Sequence, residues 1–129
     1  MSELLFVYGT LRRGEGNHQR YLAGATYLGE FVMPKAKLMT REVPGIKAIL
    51  PFMVHFSHGG VVGEIYRVTS QQLENIDTLE GHPSEYHRSR GKIPREWQNP
   101  IIPWAYWWPW GTVGMELVKG GDWKKRGKV

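Results

Sequence analysis

The sequence contains no cysteine. That excludes disulfides, a thiol nucleophile, and any zinc site or cluster built on cysteine. No apolar run approaches the ~18 residues that a membrane helix requires. No basic segment precedes the apolar stretch at the N-terminus, as it would in a secretory signal. Cytoplasm is therefore the expected compartment, and the lack of cysteine fits it. No internal repeat, linker or low-complexity segment divides the chain. None of the five serines sits in a Gly-x-Ser-x-Gly elbow, which argues against a serine triad. No Gly-rich segment ends in Gly-Lys-Ser/Thr, so there is no phosphate loop.

A basic surface is also largely missing, although the net charge is +5. Residues 119–129 hold Lys119, Lys124, Lys125, Arg126 and Lys128 against Asp122. The preceding 118 residues carry 12 basic and 11 acidic side chains, nearly balanced. The charge belongs to the end of the chain, not to a groove. A solvated, frayed end is the ordinary reading of such a segment. Weak, salt-sensitive attraction to polyanions is the alternative, and nucleic acid is not an expected partner. With 129 residues, 41% of them hydrophobic and 22% charged, a single globular domain over residues 1–118 with a basic tail at 119–129 is expected.

Residues 3–8 form a near-continuous apolar run closed by Gly9, the pattern of a strand buried on both faces. A short helical turn is expected at 18–22. Further strands are expected at 25–33, 35–39, 46–50 and 61–68, with Pro44-Gly45 and Gly59-Gly60 marking turns. The spacing predicts a helix over 69–81. Thr69 with Gln72 matches a capping box, Leu73, Ile76 and Leu79 form an apolar stripe, and Gly81 followed by Pro83 ends it. Residues 86–93 alternate like a strand, 94–100 read as a polar loop, and 104–108 read as an aromatic-rich strand. Many short strands and few helices indicate an α+β domain, with a small mixed sheet closed into a barrel.

One carboxylate is out of place on that helix. With Leu73 at 0° and a step of about 100°, Ile76 falls near 300°, Leu79 near 240° and Glu80 near 340°. Glu80 therefore points with the apolar stripe, Asp77 lies at its edge, and Glu74 faces solvent. An inward carboxylate is costly unless paired, hydrogen-bonded or beside a wet pocket. Desolvation would raise its pKa toward the range of a general base working near neutral pH. Pairing with an arginine such as Arg88, or fraying of the last turn, would explain the same placement structurally.

A second feature is the run Val7-Tyr8-Gly9-Thr10-Leu11-Arg12-Arg13-Gly14. A loop leaving a buried strand can aim successive backbone N–H groups at one point and stabilise an anion or developing oxyanion. A plain tight turn is the structural alternative. The pairs His55/His58 and His82/His87 lack a third ligand at recognisable spacing, so no metal site is expected. The six tryptophans and six tyrosines lack interleaved basic residues and suit a core or pocket wall better than base stacking.

Together these segments resemble the gamma-glutamylcyclotransferase-like family, in particular its gamma-glutamylamine cyclotransferase, AIG2-like branch. The resemblance rests on the Val7–Gly14 run with Asn17 and His18, on Val62-Gly63-Glu64-Ile65-Tyr66, and on Asp77-Thr78-Leu79-Glu80-Gly81-His82-Pro83 followed by Tyr86 and Arg88. Gly121-Asp122-Trp123 is a fainter match. The resemblance implies a small mixed barrel with a pocket at its mouth. It also implies cyclisation of a γ-glutamyl amide to 5-oxoproline and a free amine, with no metal or organic cofactor. Glu80 would be the catalytic acid/base. Tyr8, Gly9, Thr10 and Leu11 would form the substrate loop, with Tyr86 and Tyr106 as pocket walls. A small ligand-binding module on the same fold is the alternative. The stretch from Trp97 to Trp110 departs from the family pattern, and the tryptophan-heavy run at 104–110 within it would narrow or reshape the leaving-group side.

Overall fold

The structure, a computed structural model, describes residues 2–43, 45, 48–90 and 102–126. Strand β1 (Ser2–Val7) leads through a loop to the short helix α1 (His18–Leu22). Two long strands follow, β2 (Thr26–Val43) and β3 (Ala48–Thr69), and then helix α2 (Ser70–Glu80). The remaining strands are β4 (His87–Arg90), β5 (Trp104–Trp107) and β6 (Glu116–Leu117). They form one six-stranded sheet in the order β4-β5-β1-β3-β2-β6. Strands β1 and β5 run parallel and every other pair is antiparallel. The sheet is the expected mixed α+β fold, curved into a half-barrel with two helices. Among the described residues no helix is long and apolar enough to cross a membrane.

Strand β1 is central and buried on both faces, as its uninterrupted apolar run predicts. Leu5 and Val7 face the core that α2 covers with Leu73 and Ile76. Phe6 and Tyr8 face a second core with Met33, Leu38, Met53 and Trp107. Helix α2 has the expected ends. Gln72 N–H donates to Thr69 Oγ1 at 3.0 Å, while Thr69 N–H donates to the Gln72 side chain at 2.9 Å. Gly81 closes the helix at φ 69°, a left-handed conformation that glycine adopts without a side-chain clash.

Three expectations change. The strands expected at 25–33 and 35–39 are one strand, β2, and Gly59-Gly60 is not a turn but part of β3. The register slips between Pro34 and Ala36, opposite residues 55–60, so a bulge absorbs the irregular residues and bends the hairpin instead of ending it. The strand expected to end at 108 ends at Trp107. The solvated tail expected from residue 119 is docked over residues 119–126. Trp123 is 1% exposed in the second core, and Asp122 Oδ1 accepts from Arg12 Nη1 at 2.7 Å. Burial of one indole and one ion pair holds a segment whose composition suggested fraying. Residues 91–93 of the strand expected at 86–93, the loop at 94–100, Pro44 of the expected Pro44-Gly45 turn, residues 46–47 of the strand expected at 46–50 and the last three residues lie outside the described residues.

Candidate active site

Helix α2 and the loop after β1 meet at a cavity of about 270 Å³. Its lining includes Glu80 and Leu79 from the end of α2, Tyr8, Gly9, Thr10 and Leu11 from the loop, and Tyr86 and Tyr106. All seven site residues expected from sequence therefore border one space.

Glu80 is there for the reason the helical wheel gives. Leu73 and Ile76 bury the inner face of α2, and the residue one turn beyond Ile76 must follow them inward. Arg88 does not neutralise it. The Arg88 Nε and Nη2 atoms donate to the two Asp77 oxygens at 2.7 and 3.1 Å, and Tyr106 Oη donates to Asp77 Oδ1 at 2.6 Å. Asp77, at the edge of the stripe, takes the partner that Glu80 lacks. The helix end does not fray either, since Glu80 O accepts from Tyr86 N–H at 3.2 Å and Asp77 O from His82 N–H at 3.0 Å. Among the described residues no cation pairs with Glu80. Burial, reinforced by the charge of Glu85, pushes its carboxyl from the usual 4.5 up to about 7.

The three tyrosines contribute surface rather than reactive hydroxyls. Tyr86 Oη donates to Pro51 O at 2.6 Å, and Tyr8 Oη donates to Tyr106 O at 2.7 Å. Burial raises all three phenols far above their usual range, and the Glu80 charge adds to the rise in each. None is a second base at neutral pH. The Tyr8 ring belongs to the second core and stacks on Phe6, and its backbone continues into the loop after β1.

The loop is fixed from its carbonyl side. Gly9 O accepts from Arg12 N–H at 3.0 Å, and Thr10 O from Asn17 N–H at 2.9 Å. Leu11 O is bonded to His18 Nδ1 at 2.9 Å, and Asn17 Nδ2 donates to Thr10 Oγ1 at 2.9 Å. No hydrogen bond among the described residues uses the N–H groups of Gly9, Thr10 or Leu11. Gly9 is required by close approach, because a β-carbon there would run into the ring of Pro51. Beyond the loop, Arg12 is 3% exposed, with Nε on Glu64 Oε2 at 3.0 Å and Nη1 on Asp122. Arg13 N–H and Tyr66 Oη donate to Glu64 Oε1 at 3.0 and 2.9 Å. The loop is thus bolted to β3 and to the C-terminal segment.

Sequence reasoning missed Arg41, Pro51, Phe52, Trp108 and Glu85, which also line the cavity. Phe52, Tyr86 and Trp108 pack ring against ring at 4.8 to 5.7 Å. Only Trp108 had a signal, the aromatic run. Arg41 and Phe52 arrive through the β2–β3 register, which no local pattern reveals. The histidines lie elsewhere: His55 stacks on Trp107, and His82 Nδ1 accepts from Arg88 N–H at 2.9 Å. Among the described residues no cluster of three His, Asp or Glu side chains could hold a metal.

This arrangement can take up a proton near neutral pH at one wall and offer amide donors at another. Known proteins share its frame. The profile of the family described as "Gamma-glutamyl cyclotransferase, AIG2-like" matches residues 5–125. A Methanocaldococcus jannaschii protein, provisionally named a gamma-glutamylcyclotransferase, is 37% identical over 125 residues, 95% of this chain and 96% of that protein. The solution structure of Escherichia coli ytfP, which is 30% identical, superposes over 97% of this chain and 99% of that one with a TM-score of 0.67. The crystal structure of a Mus musculus AIG2-like protein, 27% identical, covers 82% of this chain and 76% of that one at a TM-score of 0.62.

Proposed function

Since the chain belongs to the gamma-glutamyl cyclotransferase, AIG2-like family, we propose that it cyclises a γ-glutamyl amide, releasing 5-oxoproline and an amine. The observation that carries this reading is Glu80. Its carboxylate has no ion-pair partner among the described residues, has a pKa of about 7, and shares a cavity with Gly9, Thr10 and Leu11, whose amides are likewise uncommitted among those residues.

The substrate's glutamyl half lies between α2 and the loop. Glu80, as carboxylate, removes a proton from the substrate α-ammonium. The freed amine attacks the γ-carbonyl carbon of the same molecule, and the carbonyl π electrons move to oxygen. That oxyanion is met by N–H groups of the loop. Collapse of the tetrahedral intermediate breaks the original amide C–N bond as Glu80 returns its proton to the departing nitrogen. The ring nitrogen, which still carries two hydrogens, gives one to the Glu80 carboxylate, which passes it to the released amine. 5-Oxoproline and an ammonium product leave, and Glu80 ends ionised. No water is consumed and no protein atom becomes covalently attached. Holding amine and carbonyl in a folded pose supplies much of the acceleration. Oxyanion donors contribute about 3 kcal/mol, and acid–base transfer roughly 10²- to 10⁴-fold.

The test is Glu80→Gln, assayed for 5-oxoproline by mass with γ-glutamyl-alanine as substrate. Turnover should fall roughly 10²- to 10⁴-fold while the protein keeps its thermal transition. Parent-level release by the variant would remove Glu80 from the mechanism. In the parent, kcat/KM should rise with pH through an apparent pKa of about 7, because only the ionised carboxylate accepts the proton.

A further inference from the structure

The cavity has a buried end and an open end, and the open end carries a charge that the cyclisation does not use. Resting on the reading above, we propose that Arg41 selects the leaving group by binding a carboxylate on the departing amine.

Four observations support this. Arg41 lines the cavity and is exposed, so it stands at the mouth, while Gly9 and Leu11 are buried. Ring closure requires the α-nitrogen of the glutamyl half to reach Glu80 and its γ-carbonyl to reach the loop. That half is thereby committed to the buried end, and the leaving half must extend toward the mouth. Next, the guanidinium lies over the rings of Phe52 and Trp108, 5.3 and 5.8 Å from their centroids. Stacking restrains the side chain while its N–H edge stays available for a two-point carboxylate contact.

Third, Arg41 forms no ion pair among the described residues, unlike Arg12 and Arg88, which are held by Glu64, Asp122 and Asp77. Fourth, the other exposed charged group in the lining, Glu85, is placed against the end of α2. The Glu85 carboxylate occupies the space where a β-carbon of residue 81 would sit, so it lies against the end of α2 on the Glu80 side. The Arg41 side presents one cation above an aromatic floor. A leaving amine with a short apolar body and a carboxylate matches that surface. A leaving diamine would bring its ammonium against the guanidinium.

The experiment compares 5-oxoproline release from γ-glutamyl-alanine, γ-glutamyl-ethylamide, which lacks only the leaving carboxylate, and γ-glutamyl-ethylenediamine. The substrates are tested with the parent, Arg41→Gln and Arg41→Glu. The parent should prefer the alanine compound over the ethylamide by roughly 10- to 100-fold in kcat/KM, as expected for a charged hydrogen-bonded contact. That ratio should collapse toward one in Arg41→Gln. Arg41→Glu should place the ethylenediamine compound ahead of the alanine compound. A ratio that survives Arg41→Gln overturns the inference, including the case in which both substrates weaken together because Arg41 holds the glutamyl α-carboxylate. Product formed by the parent without preference for the carboxylate overturns it as well. Absence of 5-oxoproline from every substrate with the parent would instead overturn the cyclisation reading on which the inference rests.

Discussion

Glu64 and Glu80 are both withdrawn from bulk water, and the fold treats them in opposite ways. Burial alone would raise Glu64. The Arg13 N–H, the Arg12 guanidinium and the Tyr66 hydroxyl outweigh that and hold its carboxyl below the usual 4.5. Glu80 has no such donors among the described residues, and burial carries it up to about 7. The first carboxylate ties the loop after β1 to the sheet, and the second lines the cavity that this loop borders. Among the described residues the buried carboxylate without a partner is the one that borders the cavity, and the cost of leaving it so is borne by a scaffold in which Glu64 and Arg12 are paired.

The most severe way to break this comparison is to strip the partner from Glu64. Arg12→Met removes the buried guanidinium and leaves the carboxylate only the Arg13 N–H, the Tyr66 hydroxyl and the more distant Lys124 ammonium. Breaking a buried pair in this manner costs about 3–5 kcal/mol, and Arg12 also holds Asp122. Urea unfolding should register a loss of that size, and a variant within about 1 kcal/mol of the parent would show the network to be dispensable.

The next largest effect is a difference in sign. The folded-state pKa of Glu80 lies above its unfolded value of 4.5. The folded protein therefore binds the extra proton between pH 4.5 and about 7. Its stabilising effect is complete below 4.5 and is lost as pH rises through about 7. Relative to Glu80→Gln, the parent should lose up to about 3 kcal/mol across that window. Glu64 behaves conversely: its folded pKa is depressed, so its contribution is present above the unfolded value and disappears as pH falls through the folded one. Urea midpoints measured at a series of pH values, for the parent and each Glu→Gln variant, separate the two. Curves that move together would mean the two carboxylates do not differ as their surroundings indicate.

How much of this contrast could be read in the sequence follows from the range of the interactions. Helix α2 was legible because its capping box, stripe and glycine stop are all local chemistry, and the inward aim of Glu80 follows from the same period. The partner of Arg88 was not, since Asp77 and Glu80 both lie near the stripe and only packing selects one. Strands β2 and β3 were legible as strands but not as single ones, because Pro34 and Gly59-Gly60 read as stops while the bulge absorbs them. The wall of Arg41 and Phe52 was invisible: pairing of β2 with β3 brings it to the cavity, and register is a tertiary quantity. At the C-terminus the five basic residues outvoted Asp122 and Trp123 by count. In the fold, burial of the indole and the pair with Arg12 decide the matter.

A smaller perturbation sharpens the comparison from that end. Asp122→Asn keeps an oxygen for Arg12 and for Lys124 N–H, which it receives at 2.7 and 3.0 Å, but removes the charge. A cost of about 1–2 kcal/mol is expected, read as a lowered melting temperature. Because Arg12 directly follows the loop proposed to hold substrate, KM for γ-glutamyl-alanine should rise as well. A stability loss with unaltered KM would confine the C-terminal segment to a structural part.

Lys124 should matter least, although it addresses the same carboxylate as Arg12. Its Nζ stands 4.0 Å from Glu64 Oε2, and its side chain is 35% exposed, against 3% for Arg12. At that distance and exposure water screens most of the attraction, and the flexible side chain loses entropy when held in place. Removing it leaves Glu64 with its donors from Arg12, Arg13 and Tyr66 intact. Lys124→Met should therefore shift stability by less than about 1 kcal/mol and leave the pH dependence of unfolding in place. A loss approaching that of Arg12→Met would mean that the charge count around Glu64, rather than the depth and geometry of its bonds, keeps the carboxylate ionised.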